Sequence, residues 1–142
     1  MTEPFVHRLR VRYAECDAQG VVFNAHYLAY IDHSITEMWR AAYGGYERML
    51  ERGVDVVVAE AQLRFLEGAR FDQELDIEMV VTHLGTTSLR SHHRLVRVGD
   101  GAPLVDADTR HVWIDRETKR KTPIPDWARD GIERWYAPAT ER

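Results

Sequence analysis

Apolar and polar residues alternate in five stretches of the chain, which is the pattern of half-buried β-strands. Near the N-terminus, Leu9, Val11 and Tyr13 alternate with arginines. The later stretches follow one another closely, and Leu84-Gly85 and Asp100-Gly101 are turn signals between them. These stretches are VDVVVAEAQLRFLEG, LDIEMVV, TTSLRSHHRLVRV and PLVDADTRHVWID. Short connections between consecutive strands predict an antiparallel sheet.

A long amphipathic helix is predicted between the first strand and the others. It begins at about Ala25, after Asn24, which is a favoured N-cap residue, and Gly44-Gly45 ends it. Apolar residues recur at helical spacing along it, and polar residues share another side. The apolar set is Leu28, Ile31, Ile35, Met38, Trp39 and Ala42; the polar set is His26, His33, Glu37 and Arg40.

The order of one strand, one long helix and four strands predicts an α+β fold. One helix covers one face of the sheet, so we expect a five-stranded antiparallel sheet wrapped around one long helix, in a single domain over residues 1–142. The tail TPIPDWARDGIERWY predicts a turn and a short helix. The sheet would have long exposed edges, and pairing one edge with a second copy would protect it, so a dimer is expected.

Composition narrows the class of protein. The net charge of −4 argues against a general nucleic-acid binder, which normally has a basic surface. No apolar run is long enough for a membrane span, and the N-terminus lacks the pattern of a secretory signal. Cys16 is the single cysteine, which rules out an intramolecular disulfide and favours a reducing, cytoplasmic location.

The candidate chemistry lies in RYAECDAQGVVFNAHY, where Asp17 and Gly20 directly precede the helix. The first turn of a helix has unpaired N–H groups that can stabilise a negative oxygen. Gly20 allows a positive φ or a close approach to the backbone. Asp17 could equally be a turn-stabilising residue. No histidine in this loop could activate Cys16, so we expect a buried, inert thiol.

The histidines do not predict a metal centre. His92, His93 and His111 lack a recurrent ligand spacing with acids or cysteines, and we expect them to be polar residues of exposed strands. No metal and no cofactor are therefore expected.

The motif resembles that of hot-dog-fold acyl-CoA thioesterases of the 4-hydroxybenzoyl-CoA thioesterase type, a group that includes the Tol–Pal-associated bacterial enzymes. Sequence features in LGTTSL, HVWID and PIP extend the resemblance over nearly the whole chain. The residues that carry it are Tyr13, Asp17, Gly20, Val21, Val22, Phe23 and Tyr27.

This resemblance implies a hot-dog fold, an obligate homodimer or dimer of dimers with interfacial sites, and hydrolysis of an acyl-CoA thioester. Asp17 would be the catalytic carboxylate, as nucleophile or as general base, and a backbone N–H near Asn24 would polarise the carbonyl. The Tol–Pal branch commonly has histidine where this chain has Asn24, whose amide could cap the helix or bind the thioester.

Substrate contacts are expected from Tyr13, Gly20, Val22, Phe23 and Tyr27. Arg90, preceded by Thr87 and Ser88, is a candidate for the phosphates of coenzyme A, and the basic run at Lys119–Lys121 is another. The acyl group stays open, because aromatic residues that suit an acyl pocket suit a core equally well. They are Phe23, Tyr27, Tyr30 and Phe65.

Three other functions are compatible with this fold class. A carrier-protein thioesterase of a polyketide or fatty-acid pathway would differ only in the carrier half of the substrate. A hot-dog hydratase or dehydratase would need an acid and a histidine, and only His26 is near. A non-catalytic module that binds acyl thioesters would have no use for Asp17 beside the carbonyl.

Overall fold

A five-stranded antiparallel sheet and one long helix make up most of the computed structural model, which describes residues 2–138. Short 3-10 turns lie at Tyr13–Glu15 and Glu133–Trp135. The elements are β1 Phe5–Arg10, α1 Ala25–Tyr43, α2 Tyr46–Glu51, β2 Val54–Phe65, β3 Glu74–Leu84, β4 Ser88–Arg97, β5 Pro103–Asp115 and α3 Asp126–Ile132.

The strands lie in the order β1-β3-β4-β5-β2, and the inner face of the sheet packs against α1. The predicted alternation in β3 is confirmed, because Leu75, Ile77, Met79 and Val81 are each at most 1% exposed. The intervening residues of β3 are half-buried and mostly polar. The hot-dog arrangement and the predicted α+β class are therefore present.

The helix α1 ends where predicted, since Gly44 adopts a left-handed φ of 89° as its C-cap. Its buried side differs in one respect from the predicted apolar set. Leu28 is 42% exposed, whereas Tyr27 and Tyr30 are buried. The two tyrosines belong to the hydrophobic core, whereas Leu28 lies outside it and lines a pocket together with Val58 of β2.

One local prediction was wrong, and one helix was missed. The first strand ends at Arg10, and Tyr13 enters a 3-10 turn where it is 80% exposed. The helix α2 was not predicted; it is six residues long and buries only Met49, too little for a helical pattern to stand out.

Strand β2 forms one edge of the sheet and is unusually long and apolar for an exposed edge. It pairs with β5 on one side, with a bulge between Val58 and Glu60. Val57, Val58 and Phe65 are 42–54% exposed. Among the described helices, none has the length and apolarity needed to cross a membrane.

Candidate active site

A tight loop holds Asp17 next to the start of α1. Cys16 and Val22 form an antiparallel bridge across it. The Asp17 N–H donates to the Val21 carbonyl at 2.9 Å, and the Gly20 N–H donates to the Asp17 carbonyl at 2.9 Å. Gly20 has a φ of 80°, and an added Cβ would meet only the Arg70 guanidinium at 3.6 Å. The glycine is therefore required for the turn conformation and not for close packing.

The Asp17 carboxylate has one oxygen engaged in the turn and, within the described part of the chain, one without a hydrogen-bond donor. Its Oδ1 accepts the Gln19 N–H at 2.8 Å, as in a turn-stabilising aspartate. Within residues 2–138 no group donates to Oδ2, and the side chain lines a cleft. The turn thus orients the carboxylate and leaves one of its oxygens available for chemistry.

The first turn of α1 presents unpaired N–H groups. Asn24 occupies the N-cap position as predicted, but its side chain makes no capping hydrogen bond. The His26 N–H donates to the Phe23 carbonyl at 2.9 Å, and the Tyr27 N–H donates to the Asn24 carbonyl at 3.3 Å. The N–H groups of Asn24 and Ala25 have no acceptor in the described part of the chain, and the positive end of the α1 dipole lies there.

Asp17 and the helix start face the same cleft, which has a volume of about 590 Å³. Five predicted site residues line it, namely Asp17, Val22, Phe23, Asn24 and Tyr27. The far wall comes from a segment that the motif did not include, residues 65–68, where β2 ends. In the sequence, the only hint of this wall was Gly68. A Cβ at that position would collide with the side chain of Val21, so the two segments can pack together only if residue 68 is a glycine.

Tyr27 connects α1 to that far wall. Its hydroxyl accepts the Ala69 N–H at 3.0 Å, and the Val22 N–H donates to the Ala69 carbonyl at 2.8 Å. Burial raises the pKa of Tyr27, so its phenol stays neutral. Tyr27 therefore lines the cleft and also holds its two walls together.

Glu15 is a buried anchor of the loop that the sequence reasoning missed. It is 7% exposed and accepts the Arg12 N–H at 2.7 Å and the Tyr30 hydroxyl at 2.8 Å. The Arg12 guanidinium lies 3.0 Å from its other oxygen. Burial acts to raise the pKa of Glu15, but these hydrogen bonds outweigh it and lower the pKa overall. The loop with Asp17 is thus tied to α1 through a charged group.

Several predicted site residues lie outside the Asp17 cleft. Tyr13 packs edge-on against Phe71, with ring centroids 5.9 Å apart. Arg90 pairs with Glu60 at 3.6 Å. Also outside the cleft lining are Gly20, Ser88 at the start of β4, Thr87 directly before it, and the exposed Lys119–Lys121 run. Cys16 is also absent from the lining, with Sγ 3.8 Å from the Arg12 carbonyl, and it is half-buried where a buried thiol was expected.

The expectation that the strand histidines are surface residues was wrong for two of them. His93 is fully buried, with Nε2 2.8 Å from Thr109 Oγ1, and His111 is 4% exposed. Both point inward because they occupy the inner-face positions of β4 and β5. His92 is half-buried and lies 3.0 Å from Asp108. Residues 2–138 contain no group of three or more possible ligands placed to hold a metal ion.

Acidification is expected to destabilise the protein through these two histidines. Burial lowers the pKa of His93 to about 3 and that of His111 to about 4. The unfolded chain therefore binds more protons below pH ~6.5, so stability is complete above that pH and falls as pH decreases. For one histidine the slope approaches about 1.4 kcal/mol per pH unit.

Urea unfolding between pH ~7 and ~5 measures this dependence. The variant His93→Gln keeps a hydrogen-bonding group for Thr109 but cannot titrate, so its stability should depend less on pH. An unchanged slope in His93→Gln would contradict the assignment to this histidine.

Comparison with known proteins agrees with the resemblance noted in the sequence. The model of the thioesterase-like superfamily matches residues 11–132. The acyl-CoA thioester hydrolase YbgC of Escherichia coli O6:H1 is 29% identical over 117 residues, which is 82% of this chain and 87% of YbgC. The 1,4-dihydroxy-2-naphthoyl-CoA hydrolase of Synechococcus elongatus is 29% identical over 126 residues, covering 87% of this chain and 90% of the hydrolase.

A solved structure gives the same result. The crystal structure of a hypothetical protein from Thermus thermophilus superposes with a TM-score of 0.82 at 30% identity, over 92% of this chain and 98% of that one. The family match spans far more than half of the sequence, and the fold agrees with it. The chain belongs to the thioesterase-like superfamily and has its hot-dog fold.

Proposed function

We propose that this protein hydrolyses the thioester of an acyl-CoA, with Asp17 as nucleophile or general base and the first turn of α1 as the oxyanion donor. The observation that carries the proposal is the shared cleft of about 590 Å³, which a carboxylate with a free oxygen and a helix start with unpaired N–H groups both face. The acyl-CoA hydrolase names of two relatives support the substrate class.

The chemistry follows from what each group can do. Attack on the thioester carbonyl produces a tetrahedral oxyanion, and the N–H groups of Asn24 or Ala25 would stabilise it; one such donor is typically worth about 10²–10³ in rate. Asp17 would either attack the carbonyl, forming a mixed anhydride as the thiolate leaves, or take a proton from the attacking water. In the first route a water then hydrolyses the anhydride and regenerates the Asp17 carboxylate, and the coenzyme A thiolate takes up a proton. Both routes thus consume one water and yield the free acid and coenzyme A.

The edge strand β2 supports assembly into a dimer. Its free edge carries Val57, Val58 and Phe65, each about half exposed, and such an edge is protected when a second copy pairs with it. We expect sedimentation at micromolar concentration to give twice the monomer mass or a multiple of it. A monomer would contradict this.

In a dimer, Thr87, Ser88 and Arg90 remain candidates for contacts with the phosphates of coenzyme A.

The experiment that tests the proposal is thiol release from a panel of acyl-CoAs, with the same acyl groups presented on a phosphopantetheinylated carrier protein. We expect turnover of the CoA series, with a higher kcat/KM than for the same acyl groups on the carrier protein. Turnover of the carrier series alone would assign a carrier-protein thioesterase. Binding without turnover in both series would instead favour a non-catalytic module and would overturn the proposal.

A further inference from the structure

A second pocket, of about 410 Å³, lies between α1, β2 and β5. Its lining includes Ala25, and Asn24, the residue before it, lines the Asp17 cleft, so both cavities adjoin the first turn of α1. Most of its lining is apolar and includes Leu28, Ile35 and Val58. A chain held by its carbonyl at the helix start could therefore extend into this pocket along α1.

The wall of the pocket on β5 contains two buried polar side chains. Thr109 and His111 are each 4% exposed, although their neighbours on the same face of β5, Ala107 and Trp113, are apolar. Among residues 2–138 neither ring nitrogen of His111 has a hydrogen-bond partner, and Nδ1 is fully enclosed. A ligand cannot reach the enclosed Nδ1, whereas Nε2 is not among the enclosed atoms and is therefore the ring nitrogen that is open to a ligand in the pocket.

Thr109 is already oriented for binding. His93 Nε2 lies 2.8 Å from its Oγ1, and this contact fixes the hydroxyl while leaving it further hydrogen-bonding capacity. Thr109 and His111 thus present hydrogen-bonding groups side by side on the β5 wall of an apolar pocket. This arrangement suits a ligand that is mostly apolar and polar at one point.

We propose that this pocket receives the far end of the acyl group, and that His111 and Thr109 bind a neutral hydrogen-bonding group on it, in the simplest case a hydroxyl. The proposal rests on the acyl-CoA hydrolase function proposed above and specifies the acyl group for that function. A hydroxylated acyl chain would supply His111 Nε2 with the partner that the described chain does not.

The charges in and around the pocket disfavour an acyl chain that ends in a carboxylate or an ammonium group. His111 stays neutral at physiological pH because burial lowers its pKa to about 4, so it offers no cation to a terminal carboxylate. Asp32, exposed at the pocket rim, would repel such a carboxylate. A terminal ammonium would have to be desolvated among apolar side chains. A hydroxyl carries no charge and can both donate to and accept from an imidazole.

The test compares acyl-CoAs in matched pairs that differ only in a distal hydroxyl. Suitable pairs are alkanoyl and ω-hydroxyalkanoyl-CoAs of increasing length, and phenylacetyl-CoA with 4-hydroxyphenylacetyl-CoA. In the wild type, one member of the series should show kcat/KM about tenfold higher with the hydroxyl, the value of one good neutral hydrogen bond. That ratio should fall towards one in His111→Leu and in Thr109→Val, and stay unchanged in the control His92→Leu, which lies on the outer face.

Calorimetric binding of the same pairs to the Asp17→Asn variant separates this inference from the proposed function. A hydroxyl preference in binding that is lost in His111→Leu supports the pocket assignment even if hydrolysis is not observed. Hydrolysis without any hydroxyl preference overturns the assignment and leaves the function standing. Neither binding nor hydrolysis of any pair overturns both.

Discussion

Replacing Asp17 with asparagine is expected to lower kcat for acyl-CoA hydrolysis by about 10³-fold or more, because an amide can neither attack a thioester carbonyl nor deprotonate a water. The fold should be retained. The new amide has the same shape, and its oxygen can still accept the Gln19 N–H that now donates to Asp17 at 2.8 Å. Thiol release and thermal unfolding, measured on the same preparation, check the two halves of this expectation.

The matched control is Cys16→Ala, which removes the neighbouring thiol. Cys16 does not line the cleft, so this variant should keep kcat within a fewfold of the wild type. If Cys16→Ala were as inactive as Asp17→Asn is expected to be, the thiol and not the carboxylate would be the reacting group. If Asp17→Asn kept the wild-type rate, Asp17 would be only a turn residue.

The second large effect is expected from Glu15→Ala, which should lower the free energy of unfolding by about 3 kcal/mol. The change leaves the buried Tyr30 hydroxyl and the partly buried Arg12 N–H without their acceptor. For a domain of this size the melting temperature should fall by roughly 10 °C. Because Glu15 lies two residues before Asp17, kcat should also fall well below the melting temperature.

Three further variants separate the contributions at Glu15. Glu15→Gln keeps an acceptor for Tyr30 but loses the charge that faces Arg12, so its loss of stability should be smaller. Tyr30→Phe removes one hydrogen bond and should cost about 1 kcal/mol. Glu47→Ala, an exposed glutamate of α2, is the control and should change little. Equal stability of Glu15→Ala and Glu47→Ala would show that the buried network does not hold the loop.

The architecture was largely predictable from the periodicity of the chain. Strand β3 and helix α1 bury most of their apolar faces in one core, so their periods of two and about 3.6 residues appear clearly in the sequence. The errors fall where a residue's burial does not follow the periodicity of its segment. Tyr13 continues the alternation of β1 but leaves the sheet in a 3-10 turn, and α2 is too short for its one buried residue, Met49, to form a pattern.

The histidines show a second limit of sequence reasoning. His93 and His111 are polar by residue type, so they were expected to be on the surface, yet they occupy inner-face positions. The alternation of buried and exposed positions in β4 and β5 places both histidines on the inner face, and this alternation is a better guide here than the polar residue type. Their burial is informative because it is an exception, and His111 at the second pocket is the residue that suggests a polar acyl group.

The candidate site was predictable in part. The spacing of Asp17, Gly20 and Asn24 placed a carboxylate beside a helix start, because these residues are close in sequence. The wall around Gly68 and the anchor from Glu15 to Tyr30 depend on tertiary packing, which no local pattern reports. The grouping of Asp17 with the helix start was therefore visible in the sequence, whereas the shape of the cleft was not.

The central claim is that the thioester carbonyl lies between the Asp17 carboxylate and the start of α1. A crystal structure of the Asp17→Asn variant with an unhydrolysed acyl-CoA tests it most directly. We predict the carbonyl oxygen about 2.7–3.1 Å from the N–H of Asn24 or Ala25, with the side chain at position 17 against the carbonyl carbon or a bound water. A thioester bound away from both groups would contradict the account.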